Sequence, residues 1–297
     1  MALVAAGSAG ETARGVSRRG SLGVAAAVLS FAIYGCLVLS LPQVRDALHC
    51  CEQSSFAAAL SNIVYRARLG SMYSGVFDFF IAHFTEPLTQ TLALVRTPGA
   101  GLPATPPGIW VPTTLDGNGV GYPLVATVAF RLFGLHAWAP PLTMLILMAV
   151  SAAAFLRRFY RAHAGVVVLY FSALTAMLFT PLVWDPAYAV NIAVGGIRYF
   201  SLVSVLPVFH ILLTLFDRSS ARPGTRRRDG ALLALQTVIL VLAILVRGSA
   251  LALLSLGTYS FLEIPCRRFL RRVLSPKRAQ DVAFPETGAA QPHSVTS

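Results

Sequence analysis

Few residues in this sequence could do chemistry. Asp46 and Glu52 lie just after an apolar block that ends at Leu41-Pro42. Asp116 lies in Asp116-Gly117-Asn118-Gly119, at the mouth of a later apolar stretch. A carboxylate held beside the end of an apolar helix can take a proton from a hydroxyl nucleophile, provided its pKa suits the task. Each aspartate also has a plainer reading: Asp46 pairs with its neighbour Arg45, and Asp116 is a turn residue. Arg131, Arg198 and Arg247 stand within apolar blocks, where charge is costly and marks function. Arg198 follows Gly195-Gly196-Ile197. Its planar guanidinium would grip a phosphate or a carboxylate with two parallel bonds. The competing reading for all three arginines is a side chain that reaches out to a membrane surface. His49 and His83 share no metal-ligand spacing with the acids, and Cys50-Cys51 has no second pair. No metal site and no cofactor is therefore expected. Neither HExxH, nor a nucleophile elbow, nor a phosphate-cradling glycine loop occurs.

The elements that must position these residues are apolar blocks near 21–41, 139–156, 164–183, 191–216 and 231–264. Stretches of about 17–25 apolar residues read as membrane-spanning helices. Arg157-Arg158, Arg226-Arg227-Arg228 and Arg267-Arg268 punctuate them, and arginines beside span ends read as cytoplasmic anchors. The apolar run from residue 21 continues past Cys36, so it reads as a retained signal anchor and not a cleaved leader. Between the first two blocks runs a long loop, 43–119. Phe56, Leu60, Ile63, Val64 and Ala67 recur there at helical spacing, and Met72, Val76, Phe77, Phe80, Ile81 and Phe84 form a second stripe. Leu88, Leu92 and Val95 suggest a third short helix. Such aromatic-rich amphipathic helices lie in a membrane interface or pack on the bundle itself. Val120–Phe133 is short for a span and reads as a re-entrant or broken helix. The block 231–264 is too long for one ordinary span and is interrupted at Arg247-Gly248-Ser249, which favours a hairpin. The competing topology makes Val120–Phe133 a full span and 231–264 a single tilted one.

Composition agrees with lipid as the solvent. The chain is 56% hydrophobic and only 12% charged, with a mean hydropathy of +0.67; a soluble domain carries about 25% charged residues. The net charge of +12 does not point to nucleic acid, because no basic patch sits on a soluble domain. Of the 24 basic residues, 17 fall before residue 21, in 157–163, in 217–230 and after 264. The loop 43–119 holds 4 basic and 5 acidic residues. That asymmetry puts the loop outside and both termini in the cytoplasm.

One segment is similar to a known family. Asp116-Gly117-Asn118-Gly119-Val120-Gly121-Tyr122-Pro123-Leu124, then Phe130-Arg131-Leu132-Phe133-Gly134, then a span ending Phe155-Leu156-Arg157-Arg158-Phe159, resembles the C-type integral-membrane glycosyltransferases. The relatives in view are the protein O-mannosyltransferases and aminoarabinose transferases. The resemblance runs over roughly residues 21–215. It implies a sugar donor on a polyprenyl phosphate and an acidic residue early in the first external loop that acts as the catalytic base. Asp46 matches that position best, with Glu52 second; Asp116 remains a further candidate base, and Arg198 with Arg131 would hold the donor phosphate. A second stretch, Leu254 to Phe269 with Thr258-Tyr259-Ser260-Phe261-Leu262-Glu263-Ile264-Pro265, resembles the last span of membrane O-acyltransferases.

These readings converge on an all-α, polytopic membrane protein of about six transmembrane helices, with interfacial helices in a long first external loop. Residues 1–20 and 265–297 are expected as tails, the latter basic and then disordered, around a membrane domain at 21–264. The expected place is a bacterial inner membrane. The expected partners are membrane lipids and a polyprenyl-phosphate sugar donor, with no nucleic acid. The alternatives are a non-enzymatic membrane component, such as a flippase-like or polysaccharide-assembly subunit, and a truncated membrane acyltransferase.

Overall fold

Ala-, Leu- and Val-rich runs coil into helices wherever proline does not interrupt them, and helix is most of what forms. The computed structural model describes residues 3–41, 53–113, 121–184, 200–216 and 226–247. Helix α1 covers Leu3–Ser40. The stretch expected as a disordered tail is thus helical from Leu3 onward. Ala5, Ala6, Ala9 and Ala13 are strong helix formers, and extending a helix that is already nucleated costs little per residue.

The longest element is a hairpin. Residues Ala139–Trp184 (α6) are helical except at His163, where φ is −134° and ψ is 19°. Neighbours of α1 show that the chain reverses there. A Cβ on Gly35 would lie 3.9 Å from Leu145, and one on Gly20 would lie 3.4 Å from the Tyr160 ring. Past the kink the order runs the other way: Gly23 faces Ala164, and the Phe31 and Phe171 rings are 5.1 Å apart. The first arm is therefore antiparallel to α1 and the second parallel, with α1 packed on both. Two further helices close the bundle. A 3-10 turn at Ser201–Ser204 leads into α7, Val205–Phe216. Pro207 is harmless there because the first turn of a helix needs no internal N–H partner. Helix α8, Arg226–Val246, begins inside the stretch expected as a basic loop, since arginine is a good helix former. It runs antiparallel to the first arm of α6: Asp229 pairs with Arg158 at 3.1 Å, and Gln236 meets Ser151 at 2.8 Å.

These pairings define two ends of the bundle, one marked by Arg158 and Asp229 and the other by Val246 and Ala139. Gly121–Phe133 (α5) sits at the second end. A Cβ on Gly121 would lie 2.4 Å from the backbone of Leu245 and Val246, so only glycine permits this approach. The far end of α5 reaches Ala139 within six residues. A helix of 13 residues is about 20 Å long against the roughly 30 Å of a bilayer core. Helix α5 is unbroken and begins and finishes at the same end of the bundle.

The loop packs on α5. Helix α2, Gln53–Tyr65, lies parallel to it, with the Phe56 ring 6.0–6.2 Å from Phe80, Tyr122 and Phe130. Strand β1 (Ser71–Tyr73), helices α3 (Ser74–Ala82) and α4 (Leu88–Leu94), and strand β2 (Trp110–Pro112) complete the layer. The three helices fall on the three expected stripes. The antiparallel strand pair, Met72 opposite Val111, is an addition: three residues are too few to display an alternating pattern. Among the described residues, three helical stretches are long and apolar enough to cross a membrane: Gly20–Ser40, Ala139–Tyr160 and Asp229–Val246. Gly121–Phe133, His163–Phe179 and Ser201–Leu215 are shorter apolar helices.

Candidate functional site

The expected acids Asp46, Glu52 and Asp116, and the expected phosphate ligand Arg198, lie outside the described residues. The described residues that flank their segments can be placed. Leu41 follows α1 at the end marked by Gly35 and Leu145. Gln53 stands one turn before Phe56, whose ring is 6.1 Å from Tyr122. Gly121 adjoins Val246, and the Phe200 ring is 6.4 Å from Tyr122. These flanks gather at the end of the bundle that carries α5 and the loop helices, opposite Arg158 and Asp229.

Arg131 is described, and it has a partner. It sits in the last turn of α5, and its Nη2 donates to Asn62 Oδ1 at 2.8 Å. Asn62 Nδ2 in turn donates to the Ala67 carbonyl at 2.6 Å. There the chain leaves α2 through Arg66, whose φ of 57° is in the left-handed region. The guanidinium therefore braces a turn and also lies near the negative end of the α2 dipole. Nearby, the Tyr65 hydroxyl donates to the Pro103 carbonyl at 2.6 Å. Burial raises the Tyr65 pKa above the usual phenol value, which keeps that proton in place. At the other end of α2, Gln53 is 3% exposed, and its Nε2 has no hydrogen-bond partner among the described residues.

A second constellation lies inside the bundle. Ser151 on α6, His210 on α7 and Gln236 on α8 are each at most 1% exposed. Ser151 Oγ donates to Gln236 Oε1 at 2.8 Å, and Gln236 Nε2 donates to the Ser151 carbonyl at 2.9 Å. The same Nε2 lies 3.3 Å from His210 Nδ1. The Phe155 and Phe159 rings stand edge-on to the imidazole at 6.1 and 5.1 Å. Toward the bundle end, the Arg158–Asp229 ion pair closes the group. A search for charges inside apolar blocks singles out Arg131, Arg198 and Arg247 and passes over these residues. The available signal is uncharged: in the run 231–246, Gln236 and Thr237 are the only polar side chains.

Among the described residues no group of three or more His, Cys, Asp or Glu could hold a metal ion. No family model, curated protein or solved structure matches this chain.

Proposed function

We propose that the chain is a multi-pass membrane protein of about six spans that transfers a sugar from a polyprenyl phosphate at the outer end of its bundle. In this reading Asp46 takes the proton from the acceptor hydroxyl as the sugar moves to it. Glu52 and Asp116 are the next candidates for that base. Arg198 grips the donor phosphate, and Arg131 braces the layer that surrounds it. The observation that carries the reading is the gathering of chain ends. The described flanks of the segments bearing Asp46, Glu52, Asp116 and Arg198 meet at the end that carries the loop helices. That arrangement suits a base and a phosphate clamp acting on one lipid-linked substrate, since reacting groups must be held together at about 3–3.5 Å.

The test is sugar transfer by the full-length protein in liposomes that contain a polyprenyl-phosphate-linked donor. Asp46→Asn keeps the shape, removes the base, and should cut turnover by about 10²–10⁴-fold. Arg198→Lys keeps the charge, loses the planar fork, and should chiefly raise the KM for donor. Full turnover by Asp46→Asn would move the base to Glu52 or Asp116. Wild-type liposomes without transfer from any lipid-linked sugar would favour the non-enzymatic reading.

A further inference from the structure

The buried group of Ser151, Gln236 and His210 permits one arrangement of protons. The Ser151 backbone carbonyl can only accept, so the Gln236 amide must turn its NH2 toward it, at 2.9 Å. Oε1 then accepts a hydrogen bond from the Ser151 hydroxyl at 2.8 Å. The second N–H of the same NH2 faces His210 Nδ1 at 3.3 Å. Nδ1 must offer a lone pair to it, which leaves the imidazole proton on Nε2 and the ring neutral.

We propose that Ser151, Gln236 and His210 form a proton-responsive clamp that ties α8 both to α7 and to the first arm of α6. The clamp is closed while His210 is neutral. A proton taken up at Nδ1 sets N–H against N–H, and the bond from Gln236 is lost. Rotating the amide offers Oε1 to the new donor, but it then turns Oε1 toward the Ser151 carbonyl and forfeits that bond. Either way the tie weakens by one hydrogen bond in a site with at most 1% exposure, where an unpaired polar group is costly.

The charges that face His210 come from both neighbouring helices: Arg158 on α6 and Asp229 on α8. They oppose each other in their effect on an added proton and are paired at 3.1 Å, so burial of the imidazole, together with its hydrogen bond to Gln236, decides the preferred state. His163 lies beyond Phe159, whose ring is 6.0 Å from it. Asp229 is 19% exposed, so the ion pair beside the buried group reaches the surface of the bundle. The response has a route outward, because the last turn of α8 is the surface against which Gly121 rests. Loosening α8 loosens the seat of α5. This inference does not depend on the sugar-transfer reading.

The experiment uses the purified full-length protein in detergent micelles, with thermal unfolding followed between pH 7.5 and 5.0. The wild-type midpoint should fall by about 3–8 °C more than that of His210→Gln. The glutamine does not titrate, and its oxygen still accepts from Gln236. His163→Gln should keep the wild-type slope. Histidine-selective 15N spectra of the wild type supply a readout that needs no variant to fold: at pH 7.5 a buried histidine should carry its proton on Nε2. Equal pH slopes for wild type and His210→Gln, or a proton on Nδ1 of His210 at pH 7.5, would overturn the clamp.

Discussion

Single side chains show most clearly what the sequence discloses and what it hides. Arg131 is legible as a charge inside an apolar stretch, but its partner Asn62 lies far away in the chain and on another helix. Only the fold reveals that the guanidinium is occupied with a turn. Asn62 is the better target for mutation, because it links Arg131 to the Ala67 carbonyl. Asn62→Ala removes both bonds and leaves groups without partners, so it should cost about 1–3 kcal/mol in denaturant unfolding. Arg131→Met removes one bond and should cost less. The pair Ser151 and Gln236 is hidden for the same reason. Each looks like a stray polar residue until two antiparallel helices bring them to 2.8 Å.

Secondary-structure elements were more legible than their partners. The apolar stripes of the loop announce α2, α3 and α4, because a 3.6-residue period survives in the sequence whatever the helix packs against. Strands β1 and β2 escape because each has three residues and its register is set by a partner far along the chain. The reach of α5 was open from its length alone; the contact at Gly121 settles where it begins. That contact makes a sharp prediction. Gly121→Ala places a methyl 2.4 Å from the backbone of α8, so the two helices must separate. The change should lower stability by about 1–3 kcal/mol, measurable as a lower unfolding midpoint. Gly165→Ala, where a Cβ meets nothing within 4 Å, is the control and should be neutral or slightly stabilising.

At the scale of the whole molecule, hydropathy located the long helices because apolar length is a property of the chain itself. The reversal at His163 was legible from Arg157 and Arg158, which stand between two apolar blocks, and Gly165 lies just past it. What hydropathy cannot give is which helix touches which, since that depends on small residues such as Gly20 and Gly23 matching surfaces far along the chain. The proposed topology can be checked in intact cells with an impermeant thiol reagent, on a background with the native cysteines replaced. Ala100→Cys, exposed in the loop, should be labelled. Ser219→Cys, in the basic stretch after α7, should be labelled only after the cells are opened. The reverse pattern would invert the orientation drawn from the arginines.

The place of Phe56 has a consequence in time. Its ring is packed among Phe80, Tyr122 and Phe130, and two of those three rings belong to α5. Helix α2 is made long before α5 exists. Roughly 70 residues separate Phe56 from Phe130, so at about 5–20 residues per second the ribosome leaves α2 without its partner for some 4–15 s. During that interval the aromatic face of α2 needs a temporary shelter, and α1, already made, is long and apolar enough to offer one. Late delivery of α5 therefore delays the packing of this layer, and the loop can settle only once α5 has been made.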